Sequence, residues 1–198
     1  KTYLRDLERQ GIEIVPSLWR DAFEKNELST FFTLLESDQL VIKPTISAGA
    51  DNTFWLTRKN AEKYADELSG VFKNRPFLVQ PFMPSILSEG EFSVFFFGDT
   101  YSHTILKTPK KNDFRVQEEH GGILKKVQPE EQLLASAREL LQILHPKPFY
   151  TRIDYVRTSN DTFALMELEL IEPSLYFNMD DESPERFAEA FEVWMSEK

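Results

Sequence analysis

Apolar and polar residues alternate most regularly in the segment MELELIE, which begins at Met166 and sets Glu167, Glu169 and Glu172 among apolar neighbours. Successive side chains of a strand point to opposite faces, so a strand here would direct Glu167 and Glu169 to one face, with Glu172 as a candidate third acid. Adjacent carboxylates repel one another unless a proton or cation neutralises them, and they suit Mg²⁺ or Mn²⁺ as ligands. The same pattern is also typical of an antiparallel edge strand with a solvent-exposed face, so other segments must decide.

A second predicted strand, 150–156, carries another acid, Asp154, close to the guanidinium of Arg152. The turn residues at 158–161 separate it from the acidic strand, predicted at 162–171, so the two strands are expected to pair. An acid and a guanidinium beside further acids indicate a site for a metal ion and a phosphate.

The rest of the chain alternates between helical and strand-like periods. Predicted helices occupy 2–10, 26–37, 59–68 and 130–144, Gly11 and Gly70 are predicted helix stops, and Ser183 is predicted to cap a last helix. Further strands are predicted at 12–15, 39–43, 77–80, 91–97 and 100–107, the last two forming a hairpin around Gly98 and Asp99. Antiparallel hairpins with separate helices predict an α+β fold of two lobes rather than an alternating βαβ sheet.

The composition narrows the function classes. With 198 residues, 41% of them hydrophobic, the chain can bury a core as one domain or two small lobes. The 23 basic and 33 acidic residues give a net charge of -10, so binding to nucleic acid is not expected. The absence of cysteine excludes disulfides and thiolate chemistry and fits a cytoplasmic protein. No membrane-spanning run or signal peptide is evident, and a start without Met, inside a predicted helix, indicates a piece of a longer polypeptide.

Several basic residues are candidates for binding phosphate. Lys43 ends a predicted strand just before a loop of small residues, where an ammonium and backbone N–H groups could meet a phosphate chain, although strand-end lysines are commonly solvated. Lys107 ends the second hairpin strand, and Arg115 follows it. The paired glycines at 121 and 122 would let the backbone approach a substrate closely, and His120 beside them is a candidate of second rank.

The order of these motifs resembles the ATP-grasp superfamily, above all the ATP-binding part of prokaryotic glutathione synthetases and the related cyclo-ligases of cycloserine biosynthesis. The resemblance runs over about residues 11 to 177. The motifs that carry it are VIKP at 41–44 with its loop, VQPFM at 79–83, Lys107, DFR at 113–115, the glycine pair, RID at 152–154 and ELE at 167–169. Each motif alone is weak, but their order is fairly specific.

The resemblance implies roles for individual residues. Lys43 would bind ATP phosphates, Glu91 the ribose hydroxyls, and the backbone of Gln80, Pro81, Phe82 and Met83 the adenine edge. Asp154, Glu167 and Glu169 would hold two Mg²⁺ ions, Glu169 standing where glutathione synthetases generally have Asn. Lys107, Arg115 and Arg152 would steady the transferred phosphoryl group, and an ion pair of Arg152 with Glu169 is compatible with that role.

The implied protein is an ATP-dependent carboxylate–amine ligase that acts through an acyl phosphate, with MgATP held between two lobes. Residues 1–16 would end a linker or N-terminal region, 17–82 form the first lobe, and 83–198 form the second lobe with the metal site. The substrates would be a small carboxylate and an amine or similar nucleophile, whose pocket would use Arg115, Gln117, His120 and Tyr176.

Two departures from the family stand out. The usual N-terminal substrate domain is not in the sequence, and only Arg20 or Lys25 could replace an earlier phosphate-binding lysine. Two other hypotheses stay open at this point: a nucleotide-binding module without ligase activity, and an interaction domain with acidic surface strands that binds no nucleotide.

Overall fold

The computed structural model describes residues 1–47, 49–111 and 113–196, and the chain divides into two compact units. The first unit contains Lys1–Leu7 and Ile14–Pro84, and the second contains Glu8–Glu13 and Ser85–Lys198. Each unit holds one antiparallel sheet together with helices. The predicted α+β class with antiparallel sheets is confirmed.

The first unit is a four-stranded antiparallel sheet with its core on one face. Its strands are β1 (Leu18–Arg20), β2 (Gln39–Pro44), β3 (Phe54–Thr57) and β4 (Phe77–Pro81), in the spatial order β1-β4-β2-β3. Its helices are α2 (Leu28–Leu34), α3 (Ala65–Phe72) and the part of α1 (Tyr3–Arg9) up to Leu7. Alternate strand residues such as Leu40, Ile42 and Val79 are buried with Phe31 and Phe72 from the helices, as the period of two requires.

The second unit is a five-stranded antiparallel sheet. Its strands are β5 (Glu91–Phe97), β6 (Thr100–Thr108), β7 (Ile123–Val127), β8 (Tyr150–Arg157) and β9 (Phe163–Glu169), in the order β7-β6-β5-β8-β9. Its helices are α4 (Ser85–Ser88), α5 (Glu131–Ile143) and α6 (Ser183–Ser196). Helix α5 buries Leu133, Ala137 and Leu140, whose spacing gives the predicted apolar stripe. No helix within the described ranges is long and apolar enough to span a bilayer.

Several element predictions were wrong. Helix α3 runs through Gly70, whose backbone lacks a positive φ, because burial of Leu68 and Phe72 outweighs the weak helix propensity of glycine. The predicted strand 12–15 forms only an isolated bridge at Ile14, although its apolar side chains are buried. Strands β1, β3 and β7 and the short helix α4 were not predicted. Their brevity leaves little periodicity in the sequence.

Candidate functional site

Six charged residues of the five-stranded sheet share one face because of how its strands pair. Residues directly opposite each other in an antiparallel pair point to the same side of the sheet. The opposed pairs are Glu91 with Lys107, Ser93 with Asp154, Asp154 with Glu167, and Arg152 with Glu169. Strands β5, β6, β8 and β9 therefore gather two cations and four carboxylates on one face.

Two β-bulges set this alignment. The registers of β5 with β6 and of β8 with β9 each shift by one residue, at Ser102 in β6 and at Met166 in β9. Because side chains alternate along a strand, a one-residue shift exchanges the faces that the following residues reach. The second bulge thus places Glu167, rather than Met166, opposite Asp154.

Asp154 is the centre of the charged network and is almost completely buried. Its Oδ1 accepts hydrogen bonds from the hydroxyl of Ser93 and from Lys107 Nζ at 3.3 Å, and its Oδ2 accepts from Arg152 Nε at 3.2 Å and Nη2 at 3.0 Å. Burial alone would raise the pKa of Asp154, but Lys107 and Arg152 hold it below its ordinary value. The carboxylate therefore stays ionised.

Lys107 joins Asp154 to Glu91, whose Oε1 lies 2.5 Å from the ammonium. Burial opposes the charge on Lys107, yet the two carboxylates raise its pKa above the ordinary value. Burial also raises the pKa of Glu91, against the pull of Lys107. Gly90 makes this packing feasible, since a Cβ at its φ of 125° would lie 2.6 Å from the carbonyl oxygen of Lys107.

The carboxylates predicted to hold a metal are Asp154, Glu167 and Glu169. Their oxygens and shared face suit a hard divalent cation. As the side chains stand, no three acidic or histidine residues of the described chain are arranged to hold one. Arg152 bonds to both Asp154 and Glu169, as the sequence suggested for Glu169. Glu172 lies past the end of β9 with a φ of 58°, so it is not a third acid of that strand.

Arg115 is not joined to this network by any contact that the described residues show; its side chain pairs with Asp113 at 3.0 Å. Asp113 also accepts the backbone N–H groups of Phe114 and Arg115, and the guanidinium of Arg115 holds the pKa of that carboxyl well below its usual range. Gly122 packs so closely on the loop that a Cβ would lie 1.9 Å from the carbonyl oxygen of Val116. The glycine pair therefore lets the loop fold on itself.

The other pocket candidates lie on the same loop and after β9. The carbonyl of Gln117 accepts the N–H groups of His120 and Gly122, while Gln117 Oε1 is buried and has no hydrogen-bond partner among the described residues. Tyr176 has a left-handed backbone, with φ 50°, and its ring meets Phe95 edge-on at 6.2 Å. Phe95 lies opposite Arg152 in the sheet, so Tyr176 stands beside the charged network.

In the first unit, Lys43 is buried in β2 opposite Leu78, and Gln80 donates through Nε2 to the hydroxyl of Ser17 at 2.9 Å. The pairing of β4 with β1 covers Phe77 to Val79 and stops before Gln80. The backbone from residue 80 onward therefore extends beyond β1. Within the predicted hinge, Pro81 and Met83 are half-buried, and the ring of Phe82 stacks on Trp55 at 4.5 Å.

Two features of the site were missed in the sequence. Ser93 lies two residues after Glu91, so strand alternation could have placed it on the same face. His103 stacks on Phe95 at 4.3 Å and links Ser102 to the carbonyl of Leu175, which no local pattern indicates.

No protein-family model matches the chain, but individual proteins are similar to it. Cycloserine biosynthesis protein DcsG of Streptomyces lavendulae is 26% identical over 96% of this chain and 67% of its own length. The crystal structure of D-cycloserine synthetase DcsG matches with a TM-score of 0.83 and 25% identity, over 96% of this chain and 68% of that chain.

Two further solved structures share the fold at lower identity. D-alanine–D-alanine ligase from Bacillus anthracis has a TM-score of 0.70 and 15% identity, over 100% of this chain and 69% of its own. The ATP-grasp ligase PsnB, in a complex with a phosphomimetic precursor variant, Mg and ADP, has a TM-score of 0.67 and 14% identity, over 96% of this chain and 56% of its own.

Proposed function

We propose that this chain, which has the ATP-grasp fold and is a relative of ATP-grasp ligases, is an ATP-dependent carboxylate–amine ligase that acts through an acyl phosphate. The observation that supports the proposal most is the buried network in which Lys107 and Arg152 are held by Glu91, Asp154 and Glu169 on one sheet face. Cations fixed in advance are what phosphoryl transfer requires, because its transition state spreads negative charge over the phosphoryl oxygens.

The protein's own basic residues would perform two tasks. Lys107, which its carboxylate partners already orient, would neutralise charge on the transferred phosphoryl group without having to reorganise, and the guanidinium of Arg152 would bind the same group. Arg115, held by Asp113 on its loop, would steady the acyl phosphate. The attacking amine or similar nucleophile would then displace phosphate, so no covalent bond to the protein forms.

Asp154, Glu167 and Glu169 would hold Mg²⁺, or Mn²⁺ in its place, and the metal would supply further neutralising charge at the phosphates. The solved complex of PsnB contains Mg and ADP. In this chain, the shared sheet face and the hard oxygen ligands support the same assignment.

The assignments in the first unit rest on the resemblance to the family. Lys43 would bind ATP phosphates, and the backbone of residues 80–83 would read adenine, which is consistent with the end of the β1 pairing at Val79. The ribose assignment of Glu91 rests on the resemblance alone, since its Oε1 is bound to Lys107. The acceptor pocket would use Gln117 and Tyr176.

Thermal unfolding with ATP, in Mg²⁺ and in EDTA, tests nucleotide and metal binding together. A ligand at about 100 times its Kd stabilises the folded state by about 2.7 kcal/mol, which corresponds to a rise in Tm of roughly 5–10 °C for a chain of this size. We expect the rise to require both ATP and Mg²⁺, and to be lost in Asp154→Asn and reduced in Lys43→Ala.

Asp180→Asn is the matched control. Asp180 is also a buried carboxylate of the second unit held by two cations, Lys126 and Arg186, but it lies outside the charged network. This variant should keep the ATP-dependent rise. No rise in the unmodified protein, or equal rises in both Asp variants, would contradict the proposal.

Ligase activity needs a second measurement, since nucleotide binding alone would also raise Tm. A panel of carboxylates labelled with heavy oxygen is incubated with ATP, Mg²⁺ and an amine. Transfer of label into the released phosphate is the signature of an acyl phosphate. Binding of ATP without label transfer from any carboxylate would favour a nucleotide-binding module.

A further inference from the structure

Asp154 has no acceptor capacity left for a cation. A carboxylate offers about four lone-pair sites. Ser93 and Lys107 occupy Oδ1, and two nitrogens of Arg152 occupy Oδ2. A metal ion can therefore bind Asp154 only if one of these donors leaves.

Arg152 is the donor that can leave most readily. Lys107 has a side-chain exposure of 4% and is also anchored by Glu91 at 2.5 Å. Arg152 is 11% exposed, and its second partner, Glu169, is 30% exposed. Of the donors to Asp154, Arg152 thus lies nearest to solvent.

Arg152 also occupies a second carboxylate that is assigned to the metal. Its Nη2 donates to Asp154 and to Glu169, which are two of the three carboxylates assigned to the metal. A divalent cation entering beside the guanidinium would be repelled by it, because both are positively charged. Phosphate is an alternative partner for a guanidinium, with the same bidentate geometry as carboxylate.

We propose that Arg152 keeps Asp154 and Glu169 closed to divalent cations until a polyphosphate draws its guanidinium away, so that metal and nucleotide bind interdependently. The inference rests on the proposed function. Once Arg152 turns to phosphate, the two buried carboxylates lose their partner, and a metal ion restores the charge balance. Each ligand thereby prepares the site for the other, and the coupling is reciprocal.

The first experiment measures Mn²⁺ binding without nucleotide, from the loss of the electron paramagnetic resonance signal of free Mn²⁺. Arg152→Gln removes the competing cation and should bind Mn²⁺ about tenfold more tightly than the unmodified protein, a typical coupling between sites. Circular dichroism checks that the variant is folded. Equal or weaker Mn²⁺ binding by folded Arg152→Gln overturns the proposal.

Arg157→Gln is the matched control. Arg157 lies on the same strand and pairs with three acids, Glu89, Glu130 and Asp161, so its removal also uncovers carboxylates. Mn²⁺ binding should stay at the level of the unmodified protein. Equal tightening in both variants would show that any uncovered acids suffice, and would overturn a specific role of Arg152.

Arg152→Lys covers the case in which the glutamine variant does not fold. Lysine keeps the charge but cannot bridge two carboxylates with a planar fork, so Mn²⁺ binding should tighten by less than in Arg152→Gln. Unchanged binding in the lysine variant would count against the proposal.

Addition of ADP completes the test. Against a blank of ADP and Mn²⁺ alone, ADP should tighten Mn²⁺ binding in the unmodified protein more than in Arg152→Gln, where the obstacle is already gone. Equal tightening would overturn the coupling. If ATP with Mg²⁺ raises Tm but Arg152→Gln does not bind Mn²⁺ more tightly, this inference fails and the proposed function stands; if ATP never raises Tm, the proposed function itself fails.

Discussion

At the scale of the residue, two fully buried threonines of the five-stranded sheet differ in one respect. Thr104 Oγ1 lies 3.1 Å from the hydroxyl of Tyr101, whereas Thr151 Oγ1 is buried without a hydrogen-bond partner in the described part of the chain. Burying an unpaired hydroxyl costs free energy, while a paired one contributes to stability. The same substitution should therefore have opposite effects at the two positions.

We expect Thr151→Val to raise the free energy of unfolding by about 1 kcal/mol, because it removes an unpaired polar atom and keeps the branched shape. Thr104→Val should lower it by about 1 kcal/mol through loss of the bond to Tyr101. Urea unfolding of the two variants checks the sign at each site. Destabilisation by Thr151→Val would mean that its hydroxyl has a partner after all.

At the scale of the element, Gly70 and Gly98 show that a glycine's role depends on its backbone. Gly70 lies inside α3 with ordinary helical geometry and open space where an added Cβ would lie, whereas Gly98 turns the β5–β6 hairpin with a φ of 57°. Only the second conformation disfavours other residues.

Gly70→Ala should raise the free energy of unfolding by about 0.5–1 kcal/mol, since alanine restricts the unfolded chain and favours helix. Gly98→Ala should lower it by roughly 1 kcal/mol, because a Cβ is unfavourable in the left-handed region. Thermal unfolding of both variants measures the contrast. Destabilisation by Gly70→Ala would show that the helix needs glycine at this point.

At the scale of the whole molecule, stability should fall in mild acid, and a buried relay contributes to this. Arg186 Nε donates to Ser102, the hydroxyl of Ser102 donates to His103 Nδ1, and His103 Nε2–H donates to the carbonyl of Leu175. Burial lowers the pKa of His103 from 6.5 to about 4, against the opposing pull of Asp180, with Arg186 and Lys126 adding to the decrease. The relay requires neutral His103, so protonation breaks it.

The direction in which stability changes with pH follows from proton uptake at His103. Between pH 6.5 and about 4 the unfolded chain binds a proton at His103 that the folded chain does not bind. The contribution of neutral His103 to the free energy of unfolding is therefore fully present above pH 6.5 and is lost as the pH falls to about 4. We expect a loss of about 3 kcal/mol from this group, measured by urea unfolding at several pH values. His103→Gln should flatten that part of the profile, and His145→Gln, at an exposed position, should not. Equal profiles for all three proteins would refute the role of the relay.

Much of this architecture follows from local patterns. The hairpin of β5 and β6, the pairing of β8 with β9 and the apolar stripe of α5 were all predicted, because their hydrophobic periods are long and regular. The same alternation placed Glu167 and Glu169 on one face. The ATP-grasp fold, suggested by the order of the motifs, is confirmed, while the roles of the individual site residues stay predictions.

The sequence by itself thus determined the longer, regularly patterned elements and the kinds of residue that lie on each face of their strands. Only the tertiary structure decided which of them meet. A two-residue turn at Gly98 and Asp99 without a bulge would set Glu91 opposite Leu106, and an unbroken β8–β9 ladder would set Asp154 opposite Met166. The bulges at Ser102 and Met166 shift each ladder by one residue and bring Glu91 to Lys107 and Asp154 to Glu167. Local periodicity encodes the faces of a strand, but the register between strands is fixed by packing and hydrogen bonding across the whole sheet.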